Sequence, residues 1–191
     1  MLAFVKIRSF ATLVDASLRV AQVPVIVDEH ANRLLLHFSR GNPISRTMPA
    51  RVVAVIGGAD GYVSPDWYAR HDQVPTWNYE SVEIVGTLAP TDDALLRDIL
   101  AKLSKEHEAR IPGKPPWTMN KLSAATLDKL VRGIVGATLS IETLRGTQKL
   151  SQNKPDEDLD GVIAALERSQ SPQDRDLAAR MTLVNRRPGK D

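Results

Sequence analysis

The stretch HFSRGNPISR, residues 37 to 46, sets a hydroxyl, an amide and two guanidinium groups directly after an apolar run. Ser39, Arg40, Asn42 and Arg46 could surround a phosphate, because arginine offers a charged fork and a tight Gly-Asn turn can aim backbone N–H groups at an anion. On spacing alone an ordinary strand end with solvated arginines is the plainer reading. A second concentration of chemistry lies in QVPTWNYESVEIVG, residues 73 to 86, where Trp77 and Tyr79 flank Asn78. The chain has three Trp, three Tyr and three Phe, and Tyr62, Trp67, Tyr68, Trp77 and Tyr79 all fall between positions 62 and 79. Aromatics so placed either fill a packed corner or dimer contact, or, among Ser64, Asp66, Asp72 and Asn78, form an open surface on which a flat ligand stacks.

Other chemistries find little support. His30, His37, His71 and His107 stand far apart with no paired spacing, so no metal site is expected. Ser151 and Lys154 match the Ser-x-x-Lys spacing of some acyl-transfer enzymes, but the partner motifs are missing. GGADG, residues 57 to 61, lacks the spacing of a dinucleotide fingerprint and reads as a flexible turn between strands. With no cysteine, the chain has no disulfide, thiol nucleophile or thiolate ligand, which suits a reducing cytoplasm.

These groups must be held by a core, and 191 residues with 42% hydrophobic content suffice for one. Lys6 and Arg8 interrupt the only apolar N-terminal run, so neither export nor a membrane location is expected. Net charge is +2, with a basic bias in residues 1 to 51 and again at Arg186, Arg187 and Lys190. Such a bias could meet a phosphate or nucleic acid, although scattered basic residues ordinarily just solvate a surface.

The first half reads as an antiparallel meander or barrel. SFATLVDA, VPVIVDE, RLLLHF and RVVAVIGG are short β-rich runs ended by turn residues, and ESVEIVGTL alternates like a longer strand. Thr91 is a candidate cap for a helix whose stripe is Leu95, Leu96, Ile99, Leu100 and Leu103. Ser123 caps a short helix stopped at Gly133, and IVGATLSIETL follows as one half-buried strand. Two more helices are expected, one through Leu159, Val162, Ile163 and Leu166, the other opened by Ser171-Pro172, before a disordered tail NRRPGKD.

Taken together, HFSRGNP, YVSPDWY, VPTWNYESVEIVG, GIVGATLSIETLRGTQKLSQNK and DLDGVIAALE, in this order from about residue 9 to 166, resemble the PaiB family of FMN-binding negative transcriptional regulators. The sequence departs from the family pattern in carrying GGAD before Gly61, where the family has Gly-Pro-His ahead of YVSP. The resemblance implies an antiparallel FMN-binding split β-barrel with packing helices over residues 1–150 and a helical C-terminal arm over 151–191. It also implies a homodimer whose flavin sites lie at the subunit interface. Within that framework Ser39, Arg40, Asn42 and Arg46 fall to the flavin phosphate and ribityl chain, and Trp77, Asn78 and Tyr79 to the ring system. Lys149, Ser151 and Gln152 would come from the neighbouring subunit, where the lysine could stabilise an anionic flavin or phosphate.

The implied function is a cytoplasmic FMN-binding homodimer in negative transcriptional control, the flavin serving as structural ligand or redox sensor. DNA is a further candidate partner, although no helix-turn-helix pattern is present and neither helical segment, 91 to 110 nor 157 to 168, is strongly basic on one face. Two alternatives stand beside it. One is an FMN-dependent oxidoreductase, for which no catalytic residue is assigned; the other is a haem-binding split barrel with His37 or His71 as the ligand.

Overall fold

The computed structural model describes residues 1–186. Seven strands and five α-helices follow in chain order: α1 (Leu2–Arg8), β1 (Phe10–Asp15), β2 (Val20–Asp28), β3 (Arg33–Ser39), β4 (Ala50–Val63), β5 (Thr76–Pro90), α2 (Asp93–Glu108), α3 (Ala124–Val131), β6 (Ile134–Ser140), β7 (Thr143–Lys149), α4 (Asp156–Glu167) and α5 (Pro172–Asn185). The strand order is β4-β1-β2-β3-β6-β5-β7, and β4 also pairs with β5, so six strands close into a barrel with β7 as an extra strand beside β5. This is the antiparallel β-barrel with added helices that the sequence implied.

The chain divides into two compact units, residues 1–56 with 82–145, and residues 57–81 with 146–186 of the described chain. In the first, alternation does the work: Ala11, Leu13, Val23, Val25, Leu34, Leu36, Phe38, Val52, Ala54, Ile56, Val82, Ile84, Leu88 and Leu139 all point into one buried core. The register confirms the antiparallel pairing, with Leu13 opposite Ala21, Leu36 opposite Ala137 and Leu88 opposite Leu139. On the outer face of β3, Leu35 packs against Ile99 and Leu103 of α2, which covers the barrel there. Where β5 meets β6 the backbones approach so closely that a Cβ on Gly86 would lie 1.7 Å from the Ser140 carbonyl oxygen, and only glycine fits.

The second unit has its own core. Ala59 and Val63 from β4 and Tyr68 pack with Leu159, Val162, Ile163 and Leu166 of α4 and with Leu177, Ala178 and Met181 of α5. The spacing of those residues on both helices is the helical stripe expected from the sequence.

Four local expectations change. GGADG is no turn: it lies inside β4, which runs unbroken to Val63. A β-strand tolerates glycine where its neighbours supply the pairing, and sequence punctuation alone cannot show that. IVGATLSIETL is two strands rather than one, since β6 ends at Ser140 and β7 begins at Thr143. The α2 cap is Asp92 rather than Thr91; its carboxylate accepts a hydrogen bond from the Leu95 amide at 2.8 Å. Of the tail NRRPGKD, Asn185 ends α5 and Arg186 follows it, while the expectation for residues 187–191 lies outside the described residues.

Candidate functional site

The segment after β3 is built by its own polar side chains. Asn42 caps a 3-10 turn at Pro43–Arg46, its Oδ1 accepting from the Ile44 amide at 3.0 Å, while its Nδ2 donates to the Val20 carbonyl at 3.3 Å. The Ser39 Oγ accepts from the Gly41 amide at 3.2 Å. Arg40 reaches the other way: Nε donates to the Arg132 carbonyl at 2.8 Å and an Nη to the Ile134 carbonyl at 3.0 Å. Its backbone N–H donates to the Gly133 carbonyl at 2.9 Å, so Arg40 ties this segment to the start of β6. The Arg46 side chain is exposed and makes no hydrogen bond or ion pair with the described residues.

Arg40 and Arg46 share a cleft of about 620 Å³ with Ser45, Thr91, Asp93 and Gly136. Thr91 presents a buried Oγ1 with no hydrogen-bond partner. Gly136 is required beside it, because a Cβ there would sit 2.3 Å from that oxygen. Ser39 and Asn42 are not in the lining, and their side chains are engaged in turn geometry. His37 lies apart, on the face of β3 that carries Leu35, in a shallower cleft of about 240 Å³ with Pro24, Leu103, His107 and Trp117. Its Nδ1 is buried without a partner, and burial pushes the imidazole below its ordinary value, so it is neutral at pH 7.

The second unit holds the remaining candidates. Along β5 the side chains alternate: Trp77 and Tyr79 face outward, Asn78 and Glu80 inward. Trp77 is 51% exposed; its Nε1 donates to Asp60 at 3.1 Å, and its ring meets Tyr62 edge-on at 6.4 Å between centroids. Asn78 is fully buried and donates from Nδ2 to the Ser151 Oγ at 2.9 Å. Ser151 holds a left-handed backbone, φ 63°, in the turn after β7, so this buried bond secures a conformation that a serine adopts only at some cost. Burial pushes the Tyr68 phenol up, against a hydrogen bond with the same Ser151. Gln152 is spent inside the turn, accepting from the Leu150 amide at 2.7 Å and donating to the Gln148 carbonyl at 2.8 Å. Lys149 donates to the Thr76 Oγ1 at 2.6 Å on the surface. The structure thus brings Asn78 and Ser151 together as internal partners, and Trp77 and Tyr79 onto one exposed face.

Thr91, Asp93 and Gly136 line the cleft although the sequence marks none of them as a site residue. Pro90-Thr91-Asp92-Asp93 reads only as a helix start, and nothing local reveals that Gly136, 45 positions on, would lie against Thr91.

Residues 1–143 match the family model described as "Putative FMN-binding domain". The chain is 33% identical over 147 residues to the protease synthase and sporulation protein PAI 2 of Bacillus subtilis, spanning 76% of this chain and 70% of that protein. Among solved structures it is similar to the FAD and heme binding protein from Mycobacterium smegmatis, with a TM-score of 0.59 and 20% identity over 85% of this chain and 75% of that one. It is also similar to the flavocytochrome Anf3 from Azotobacter vinelandii, with a TM-score of 0.51 and 18% identity over 77% of this chain and 66% of that one. At these identities the two structures speak for the fold. Every residue lining the 620 Å³ cleft falls inside the matched segment.

Proposed function

Because the chain belongs to the FMN-binding domain family, we propose that it is a flavin protein that holds FMN in the cleft bearing Arg40 and Arg46. The observation that carries this reading is the donor set of that cleft: a guanidinium with no internal partner, a second fixed by two carbonyls, and a buried hydroxyl left unpaired. Two guanidinium groups suit a phosphate, and a buried hydroxyl without a partner is a group that a ligand or water ordinarily satisfies. Bound there, FMN would supply redox chemistry at its ring, while the chain supplies orientation and charge.

The wider reading is a homodimeric, cytoplasmic regulator in which flavin is a structural or redox-sensing ligand. The name of the Bacillus relative, which ties that protein to protease synthesis and sporulation, supports the regulatory half. Among the described residues no helix is long and apolar enough to cross a membrane. A second reading, flavin-linked electron transfer, draws support from the two solved structures whose names join flavin with haem, and the neutral, half-buried His37 would be the haem ligand to test.

An absorption spectrum of the freshly purified protein, followed by an FMN titration read by fluorescence, tests the flavin reading. Yellow protein or saturable FMN uptake supports it; a colourless protein that takes up no FMN overturns it. The same spectrum shows a Soret band if haem is held. Bleaching of bound flavin by NADPH favours electron transfer, and a salt-sensitive shift of promoter DNA favours direct regulation.

A further inference from the structure

The cleft of about 240 Å³ beside the C-terminal end of α2 shares no lining residue with the larger one and is walled differently. Pro24, Leu103 and the Trp117 indole give it an apolar surface. Its polar groups are the imidazoles of His37 and His107 and the Ser104 hydroxyl, and none of these side chains hydrogen-bonds to the described residues. The carboxylate in the lining, Glu108, is spent: it pairs with Lys114 and accepts from the Trp117 amide at 2.7 Å. The bonds that quench this charge also brace against α2 the loop that carries the indole. No Lys, Arg, Asp or Glu of the lining is thus left free to meet a charged ligand. The His37 Nδ1 is buried without a partner, whereas its Nε2, equally unbonded, is reached by solvent. A buried N–H with nothing to accept it costs more than a bare lone pair, so the ring proton belongs on Nε2, and the imidazole offers the cleft a donor.

We propose that this cleft is a second ligand site, for an uncharged planar aromatic molecule of one or two fused rings that packs against Trp117 and accepts a hydrogen bond from His37 Nε2. The volume limits the occupant to a small ring system, since sites for drug-sized ligands run from about 300 to 1,000 Å³. Flat walls of indole, imidazole and proline suit an aromatic ring, and a few placed polar groups among apolar ones fix its orientation. The proposal stands apart from the flavin reading, because the residues that carry it play no part in the cleft of Arg40 and Arg46.

The test is a ligand-observed NMR titration of the full chain at neutral pH with three probes. Quinoline is uncharged and its ring nitrogen accepts a hydrogen bond; indole is of similar size but its nitrogen only donates; benzoate is an anion. Quinoline is expected to saturate with a Kd of about 1 mM or tighter, and indole to bind roughly fivefold more weakly, the worth of one neutral hydrogen bond. Benzoate should be the weakest. His37→Phe keeps a flat ring without the donor and should bring quinoline down to the level of indole. Ser104→Trp fills the cleft and should abolish both, with circular dichroism establishing that each variant is folded; if His37→Phe does not fold, Ser104→Trp and the ratio of quinoline to indole decide. Saturating FMN should leave quinoline binding unchanged. The proposal is overturned if quinoline does not saturate, if benzoate binds as well, if Ser104→Trp leaves binding intact, or if FMN displaces quinoline. A Soret band in the purified protein that His37→Phe removes also overturns it, because haem then holds the imidazole. A chain that takes FMN but not quinoline leaves the flavin reading standing alone, and one that takes quinoline but no FMN leaves this site standing alone.

Discussion

The barrel unit, residues 1–56 and 82–145, carries sixteen Lys and Arg against eleven Asp and Glu, whereas residues 57–81 and 146–186 carry seven against eleven. The two also differ in what their polar groups are doing. In the second unit Glu80 is 5% exposed and accepts from Arg180 at 2.6 and 2.7 Å and from Gln148 at 2.8 Å. Asp158 is fully buried and accepts from Arg70 and from the Ala69 and Arg70 amides. Asn78 and Ser151 satisfy each other. In the barrel unit the buried carboxylate, Asp15, is satisfied within four residues by Arg19 and the Ser17 amide, and the cleft charges Arg46 and Asp93 are left open. A buried polar group must find a partner, so a network closed inside the protein builds the fold, and a charge left unmatched on a cleft is available to a ligand.

The largest break in this contrast is expected at Arg180. Arg180→Leu takes the guanidinium from the buried Glu80 and should cost about 3 kcal/mol in urea unfolding, the low end for a broken buried pair because Glu80 keeps other partners, Gln148 among them. A loss under about 1 kcal/mol would mean that the closed network adds little, and the distinction between the units would fail.

Acid should expose the same network next. Burial pushes the Asp158 carboxyl up, but the Arg70 guanidinium and the Ala69 and Arg70 amides outweigh it and hold the group below the usual carboxylate range. A carboxyl depressed in the folded state adds stability above its unfolded value, and that stability drains away as pH falls through the folded value. Asp158→Asn is therefore expected to lower stability at neutral pH and to flatten the decline toward about pH 3. An acid limb as steep as that of the unaltered protein would place the titrating groups elsewhere, with Asp15, Asp28, Glu108 and Glu142 also held low.

This separation also explains which parts of the molecule could be read in advance. Strands whose inward residues alternate, such as Leu34, Leu36 and Phe38, announce themselves, and so do Ser123 and Ser171-Pro172, because caps act within a few positions. GGADG misleads because its neighbours in space, not its sequence, make it strand. Arg40 and Arg46 stand out by residue type, and the structure sets both on the cleft; Thr91, Asp93 and Gly136 do not, since their meeting depends on β5 and β6 pairing. Whether a polar side chain is consumed or free is equally hidden: Asn78 finds Ser151 across 73 positions, and Asp158 finds Arg70 across 88.

The finest discrimination comes from setting two small effects side by side. Asn78→Ala removes one buried hydrogen-bond partner of Ser151, leaving Tyr68, and should cost about 2 kcal/mol, with FMN affinity, measured where the variant is still folded, unchanged within about twofold. Arg46→Ala removes a side chain that holds nothing within the chain, so stability should move by less than about 0.5 kcal/mol while FMN affinity drops roughly tenfold. The two variants therefore trade places on two axes, stability and affinity. If Asn78→Ala instead weakens FMN with little loss of stability, its amide faces the ligand and the closed network is the wrong account of it. If Arg46→Ala destabilises the fold, its charge is already matched within the protein and cannot be what the cleft offers to a phosphate.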